Sequence, residues 1–542
     1  MSTRFRFAER DGVCIAGVLI FCAAIGGHAI EERELLGVPD CGFENGAPSW
    51  SIPKGSPFAS LSGEQAASGD TSLKIVDTSA DGGSNVTSSA VKLPSEGMYE
   101  LGGKVFPVSG SGLGIYARLF DSEGNALPGN GHLLGLEGNE RRWIPFSREF
   151  IAPGSADTVR IWIHSYNASR VSAYLDDFEV VFTKGRDEGM LQDLALLKER
   201  LTERELPSTA SEEAILELFS SLGEDGSWPD IDYEDDNRAS WKPSRHMGRI
   251  LSMARAYSSS SHAVHDDPAV RQAILRAYDL WMEKDFTCPN WWYNTIGVPR
   301  TLYRVMLLVE DELTEEQRSA GIDVLKRAQL GMTGQNLVWV AEVTIARGCI
   351  ENDPWVVMAA FRRIGDEIRI SSDEGIQADF SFYQHGTQLY SGGYGKGFSI
   401  DCPKFAELAH GTAFEFPEEK VEILCGYLLE GQRWMVRGPT FDYSACGREI
   451  ARKGGGRASG LIGACNSMLA LDPPRKDEFE LFRERLEAGA SVPADLQLTG
   501  NQDFWRSELM THHRPELYFS VRMTSPQVVQ TETCNRENLH GQ

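Results

Sequence analysis

The sequence predicts a multidomain protein with a β-rich N-terminal region, an all-α central region and a return to β structure before the last residue, 542. Three observations carry this. Residues 40–183 hold short alternating apolar runs separated by turn clusters. From about 187 to 490 the apolar period lengthens to that of a helix, with capping signals between segments. From about Leu496 the alternation returns. A chain of 542 residues buries large cores, and two or three domains are expected.

The first residues read as an export signal. Arg4, Arg6 and Arg10 precede an apolar run from Val13 to Ile25, and Gly27-His28-Ala29 is a small-x-small cleavage site. A signal peptide over 1–29 implies a secreted or periplasmic protein, with an uncleaved membrane anchor as the alternative. Val159 to Ile163 typifies the strands of 40–183, and turn clusters lie at Ser79–Ser84, Ser109–Gly114 and Gly129–Gly131. The opening GFENG (Gly42–Gly46) and the closing AYLDDFEVVF (Ala173–Phe182) resemble the first and last strands of carbohydrate-binding jelly-roll modules. The resemblance implies a β-sandwich, either purely structural or able to bind sugar.

Thr183–Gly189 is a charged, glycine-containing linker. Beyond it, Ser211 caps a helix with Glu212 and Glu213 in its first turn and Ile215, Leu218, Phe219 and Leu222 on one face. Asp267-Pro268 and Asp353-Pro354 each place an N-cap before a proline at the first helical position. Thr314 with Gln317 forms a capping box. About ten to twelve helices with short connections predict antiparallel pairs. In the last region, Glu516–Ser525 and Gln527–Glu532 read as strands.

The net charge of −25 disfavours nucleic acid and anionic membranes as partners. Two cysteines (Cys14, Cys22) lie in the signal, and the other eight are sparse, predicting buried thiols rather than a disulfide framework. No metal set emerges. Asp230, Asp232 and Glu234 begin like a calcium loop, but Asp235 replaces the required glycine and Trp241 the bidentate Glu, so structural Ca2+ is unsupported. His262 and His265 lack further ligands at zinc spacing.

The most informative stretch is Phe380–Phe398, FSFYQHGTQLYSGGYGKGF. Nineteen positions hold His385, three tyrosines (Tyr383, Tyr390, Tyr394) and five glycines. Glycine disfavours both helix and core strand. A glycine-rich loop lets backbone approach a ligand, and His385 and Tyr394 can move protons. A well-packed polar loop is the plain alternative. FYQHGTQLYSGGYG resembles the catalytic segment of polysaccharide lyase family eight, the chondroitin AC, hyaluronan and xanthan lyases. Four further stretches match that family in order: NWWYNTIGVPR (Asn290–Arg300), TGQN (Thr333–Asn336), GREIAR (Gly447–Arg452) and ETCNREN (Glu532–Asn538).

The resemblance implies an incomplete α/α toroid over 187–490 and the start of a C-terminal β-sandwich at 496–542, truncated relative to the family. It implies β-elimination of a uronate-containing acidic polysaccharide, with no cofactor required. The base removes the proton at C5, and the bond from C4 to the glycosidic oxygen breaks. The substrate carboxylate must then be neutralised, and a preorganised donor there is worth about 3 to 4 kcal/mol. Asn336 supplies a carboxamide that donates without titrating, with Gln335 beside it. Tyr394 is base and then acid. Its phenol, near pKa 10 unperturbed, needs a cation, and Arg448 is the expected one. A unit charge about 4 Å away contributes about 4 kcal/mol at a near-surface dielectric. The glycine-rich surroundings predict little burial of Tyr394.

His385 handles the carboxylate or the proton, and Glu532 orients Arg448 or Tyr394. Trp291 and Trp292 form an aromatic platform, Asn290 and Asn535 contact sugar, and Arg448 and Arg452, four apart, share a helical face. Because the substrate is a polyanion, the basic run Arg433–Arg457 is expected to make the cleft locally positive. Two rivals stand beside this reading. A glycoside hydrolase on an α/α scaffold would need paired carboxylates, and none lies in the His385–Tyr394 loop. A sugar-binding protein without catalysis would retain polymer without shortening it.

Overall fold

The computed structural model describes residues 33–53, 58–127, 132–206, 210–530 and Glu532, and the 1–29 export signal and the 129–131 turn cluster lie outside them. The chain divides into two compact units, 1–187 and 188–542. Among the described residues no helix is long and apolar enough to cross a membrane.

The N-terminal unit is one curled antiparallel sheet. Its strands are β1 (Glu34–Leu36), β2 (Trp50–Ser51), β3 (Ala59–Ser62), β4 (Ser72–Asp77), β5 (Asn85–Ser88), β6 (Val91–Lys92), β7 (Gly97–Phe120), β8 (His132–Glu137), β9 (Ile144–Ala152) and β10 (Thr158–Lys184). The two long strands β7 and β10 pair along their whole length. The other edge of β7 takes β9 and then β8, and the other edge of β10 takes β6, β5, β4 and β1 in turn. Register shifts, the widest between Ser165 and Arg170, let the pair bend there. Gly110 (φ +85°) lies opposite that bend, and a Cβ on it would meet the Arg170 carbonyl at 1.7 Å. Bending thus lets one hydrogen-bonded sheet enclose a single core of Leu73, Ile75, Leu101, Ile115, Ile161, Ile163 and Leu175. The alternation in β10 follows the pleat. Val159, Ile161 and Ile163 point inward, and Arg160, Trp162 and His164 point outward.

Unit 188–542 holds twelve α-helices among the described residues: α1 (Glu188–Glu205), α2 (Glu212–Ser220), α3 (Ser244–Ser258), α4 (Pro268–Lys284), α5 (Val298–Leu308), α6 (Glu315–Leu325), α7 (Gly334–Glu351), α8 (Pro354–Glu367), α9 (Tyr394–Ala409), α10 (Glu418–Gly426), α11 (Gly460–Ala470) and α12 (Lys476–Ala488). The capping signals act as read. Asp267 accepts from Ala269 N at 2.8 Å, Asp353 from Trp355 N at 2.9 Å, and Thr314 and Gln317 close a full capping box. Asp232 and Asp235, the false calcium loop, instead tie down Lys242. The region after 496 forms a three-stranded antiparallel sheet, β15 (Gly500–Phe504), β16 (Leu509–His513) and β17 (Tyr518–Arg522), numbered after the short pairs β11–β12 (Gly375–Ile376, Phe382–Tyr383) and β13–β14 (Val436–Arg437, Thr440–Phe441). Of the segment read as a strand at Gln527–Glu532, the described residues form no ladder; they make one isolated bridge, Gln388 to Val529.

A buried charge cluster binds α5, α7 and α9 together. Glu342 of α7, with a side chain 1% exposed, accepts from Arg300 Nε at 2.9 Å, Arg304 Nη2 at 3.0 Å and Tyr303 Oη at 2.5 Å. Lys404 Nζ of α9 lies 3.4 Å from Glu342 and 3.0 Å from Asp401. Burial would raise the Glu342 carboxyl, but Arg300, Lys404 and Arg304 outweigh it and hold it well below the usual range. Removing the carboxylate takes from Arg300 its ion-pair partner in the interior and leaves Arg304 with Glu205 and Lys404 with Asp401 alone. Glu342→Ala is therefore expected to cost about 3–5 kcal/mol of stability, measured by urea unfolding; a loss under about 1 kcal/mol would show that the cluster does not hold the helices.

His246 of α3 is fully buried between Trp228 and Trp281. Its Nε2 donates to Ala277 O at 2.8 Å and its Nδ1 accepts from Tyr233 Oη at 2.9 Å, so the neutral ring is satisfied. Burial pushes its pKa down to about 4. The unfolded chain protonates near 6.5 and the folded one only near 4, so stability falls as pH drops through that window, by up to about 3 kcal/mol. The melting temperature of unit 188–542 is expected to decline from pH 6.5 to 4, and His246→Gln should flatten that decline.

Candidate active site

The site is built where three elements meet. The β11–β12 hairpin leads into the loop 384–393, which ends in α9. Tyr394 is the first residue of that helix, so the glycine-rich stretch is not loop throughout. Glycine serves here for close approach: a Cβ on Gly393 would meet the Tyr390 ring at 2.4 Å. At the other end of the loop His385 sits at φ +60°, a left-handed conformation costly for a side-chain residue. Glu374 holds it there, accepting from His385 N at 2.6 Å and Gly386 N at 3.2 Å. The other oxygen of Glu374 accepts from Gln384 Nε2 at 2.6 Å and Thr333 Oγ1 at 2.7 Å. The loop and the start of α7 are thereby held by one carboxylate.

Glu532 joins the remaining groups. One of its oxygens accepts from Tyr390 Oη at 3.1 Å and pairs with Arg448 Nη1; the other meets His385 Nδ1 at 2.8 Å. Arg448 Nη2 then donates to Tyr394 Oη at 2.9 Å. The bridge between Gln388 and Val529, with Val529 N donating to Thr387 O at 2.9 Å, brings the Glu532 segment alongside the loop. Burial alone would raise the Glu532 carboxyl, but the His385 hydrogen bond and the charges of His385 and Arg448 keep it below the usual range. With Nδ1 engaged by Glu532, Nε2 is the nitrogen that His385 has left for a ligand.

Tyr394 differs from expectation. It is buried, and burial raises its phenol above the ordinary value, with Arg448 pulling the other way. Glycine neighbours do not keep it wet because other rings close over it: His385 at 4.9 Å, Tyr390 at 5.0 Å and Trp339 at 5.8 Å between centroids. Tyr390 is pushed further up for the same reason.

Beside this network lies a pocket of about 370 Å³ lined by Trp291, Met332, Thr333, Asn336, Glu374, Gln384 and His385. Asn336 enters from the first turn of α7, and its Oδ1 is buried without a hydrogen-bond partner among the described residues. Gln335 points elsewhere: it is fully buried, and its Nε2 donates to Asp401 at 2.7 Å. The two tryptophans diverge as adjacent residues must. Trp291 is 47% exposed at the pocket, and Trp292 packs edge-on against Trp339 at 5.9 Å. The π-helical turn Tyr293–Gly297 follows them directly. Asn290 spends its carboxamide on backbone, donating to Arg238 O at 2.8 Å and accepting from Trp292 N at 3.2 Å. Asn535 lies outside the described residues.

Two expectations about the arginines are corrected. Arg448 and Arg452 share no helical face, because Gly447–Ala451 is a 3-10 turn and Arg452 is already extended, paired with Glu449 at 2.6 Å. The run Arg433–Arg457 does not form a basic lining either. Arg433 is bound to Glu478 at 2.7 Å and Arg437 to backbone carbonyls of Arg514 and Pro515; of the run, Arg448 reaches the tyrosine. The sequence reading assigned no role to Tyr390, Glu374 or Trp339. Trp339 was legible, three residues after Asn336 and hence on the same face of α7. Glu374 left no periodic signal. Among the described residues no grouping of three or more His, Cys, Asp or Glu could hold a metal.

Residues 198–473 match the polysaccharide lyase family 8 N-terminal α-helical domain, and residues 499–542 match the family's super-sandwich domain. The chain is 26% identical over 333 residues to the chondroitinase-AC of Pedobacter heparinus, covering 60% of this chain and 47% of that protein. It is 25% identical over 249 residues to a xanthan lyase of a Bacillus species (42% and 26%) and 22% over 359 residues to a hyaluronate lyase of Thermasporomyces composti (59% and 46%). It thus spans less than half the length of each of these relatives. A solved chondroitinase AC lyase studied with oligosaccharides superposes with a TM-score of 0.61 at 24% identity over 64% of this chain and 52% of that one. The Streptomyces coelicolor chondroitin AC lyase bound to chondroitin sulphate gives 0.52 at 20% (66% and 53%). These two show a shared fold. The helical-domain match alone extends over half of the sequence, and the chain belongs to polysaccharide lyase family 8.

Proposed function

We infer that the chain cleaves a uronate-containing acidic polysaccharide by β-elimination, with chondroitin sulfate and hyaluronan the foremost substrates. The observation that carries this reading is the hydrogen-bonded set Tyr394–Arg448–Glu532–His385 beside a pocket that Asn336 enters. On this reading the helical pairs close into an incomplete toroid around a cleft, residues 496–542 open a C-terminal β-sandwich, and the export signal takes the protein out of the cytoplasm.

The Tyr394 phenolate takes the C5 proton. The electron pair left at C5 forms the C4–C5 double bond as the bond from C4 to the glycosidic oxygen breaks. The phenol then returns its proton to the leaving oxygen, so the enzyme ends as it began and no co-reactant is consumed. Arg448, donating to Tyr394 Oη at 2.9 Å, stabilises the phenolate against burial. Asn336 donates to the substrate carboxylate from a helix N-terminus, whose dipole favours the same charge. His385 faces that carboxylate through Nε2, with Glu532 fixing the ring. Trp291 offers a sugar a hydrophobic face.

Tyr394→Phe is expected to lower kcat by roughly a thousandfold or more while polymer affinity stays within about twofold. Ultraviolet absorbance of the unsaturated product, followed with chondroitin sulfate, hyaluronan and xanthan in parallel, measures this and names the substrate. Turnover near wild type in the variant would remove Tyr394 from the role. Trp291→Ala should raise KM about two- to tenfold with kcat nearly unchanged, since the contact is made equally in ground and transition states. An equal fall in kcat would place Trp291 in the chemistry instead.

A further inference from the structure

We propose that the outer face of the N-terminal sheet is a second binding site for acidic glycan, centred on Arg118 and Arg160. These residues sit directly opposite each other on β7 and β10. Like charges so placed are destabilising, and among the described residues neither arginine has an ion-pair partner. The carboxylates at that end of the strands are already engaged. Asp157 pairs with Lys92, and Asp121 accepts from Glu123 N and Asn125 N. An anionic ligand is the partner this arrangement lacks, in a chain whose net charge of −25 would otherwise supply acids in excess.

The two guanidinium groups are preorganised by aromatic rings. The Arg118 guanidinium lies 5.8 Å from the Phe120 ring and 5.1 Å from the Trp162 ring, and that of Arg160 lies 5.0 Å from Phe120. Stacking covers the faces of a guanidinium and leaves its in-plane N–H donors for a carboxylate or sulfate. The line continues along β10. Trp162, fixed by its Nε1 donating to Asn85 Oδ1 at 2.6 Å, stacks on His164 at 4.6 Å, and His164 meets Tyr166, which is 47% exposed. Alternate residues on one strand face repeat about every 7 Å, so Arg160 to Tyr166 spans about 20 Å, a length suited to an extended polymer. A run of cations and rings on an extended track fits an acidic polysaccharide. This assignment rests on the proposed substrate class.

The test uses the full chain. In a Tyr394→Phe background, so that polymer is not consumed, Arg118→Gln/Arg160→Gln is compared with its parent by affinity electrophoresis in chondroitin sulfate, hyaluronan and neutral dextran. Retention by an acidic polymer is expected to weaken at least about tenfold, and the parent's retention to fall with added salt. In the otherwise wild-type chain the same double substitution should leave turnover of a short uronate oligosaccharide, read by ultraviolet absorbance, unchanged. Unchanged retention of the double variant overturns the site, and so does equal retention of the parent by dextran. Loss of oligosaccharide turnover in parallel overturns it too, as would a shift in sedimentation showing that the face joins two copies of the chain. If turnover is measured but the strip does not retain polymer, the site fails and the lyase reading stands; retention without turnover of any polymer is the reverse case.

Discussion

Glu532 is a carboxylate that accepts from three directions, and the arrangement of the site follows from that. It lies 147 positions after His385 and 84 after Arg448, yet it contacts both. Its charge offsets that of Arg448, its hydrogen bond orients the His385 ring, and its charge adds to the burial that keeps a second phenol, Tyr390, protonated beside Tyr394. The phenol of Tyr394 is therefore placed between opposing influences. Burial and the nearby carboxylate disfavour the phenolate, and the Arg448 guanidinium favours it. On the proposed reading, a base strong enough to attack a weakly acidic C–H and yet held ready for deprotonation is obtained from that opposition.

The scaffold keeps these groups in register by a different device. Trp339 touches the Tyr394 ring and donates its Nε1 to Asp401 at 3.2 Å, and Asp401 also receives Gln335 and Lys404. Asp401 lies on the same helix as Tyr394, and Gln335 and Trp339 lie on the helix of Asn336. The buried cluster around Glu342 extends the same tie to α5. The start of α7 and the start of α9 are thus fixed to one another by hydrogen bonds from Gln335 and Trp339, which flank Asn336, to Asp401, two turns beyond Tyr394. Long-range order of this kind is what positioning of a base against a substrate carbon requires.

The local grammar of the helical unit was legible in the sequence. Asp267, Thr314 and Asp353 cap helices because their side chains can satisfy the first free N–H groups, a relation confined to a few residues. The convergence of Asn336, His385, Tyr394, Arg448 and Glu532 is not local, and only family resemblance brought those five together. Where the local rules erred, the cause was tertiary. Arg448 and Arg452 were assigned to a helix by their spacing, but Gly447 at φ +53° and the 3-10 turn that follows break the period. Tyr394 was read as wet from its glycine neighbours, although rings distant in sequence enclose it. In the N-terminal unit, alternation marked strands such as Val159–Ile163, but the turn cluster read at Ser109–Gly114 lies inside β7, and nothing signalled that β7 and β10, 24 and 27 residues long, would bend and join one sheet.

The charge of the molecule poses the remaining question, since an acidic protein is proposed to handle a polyanion. Around the pocket the cations are largely balanced at source. Arg448 is set against Glu532, and Arg300, Arg304 and Lys404 against Glu342, Asp401 and Glu205. A buried, balanced network contributes little field to a passing polymer, because each cation's charge is cancelled within a few ångströms. On the proposed reading, recognition of the substrate carboxylate falls to the Asn336 carboxamide, the imidazole of His385 and the N-terminus of α7. Attraction of the polymer as a whole needs cations that are not cancelled, and Arg118 and Arg160 on the N-terminal sheet meet that requirement. On the proposed reading, separating capture from chemistry in this way lets a chain of strongly negative charge act on a polyanion.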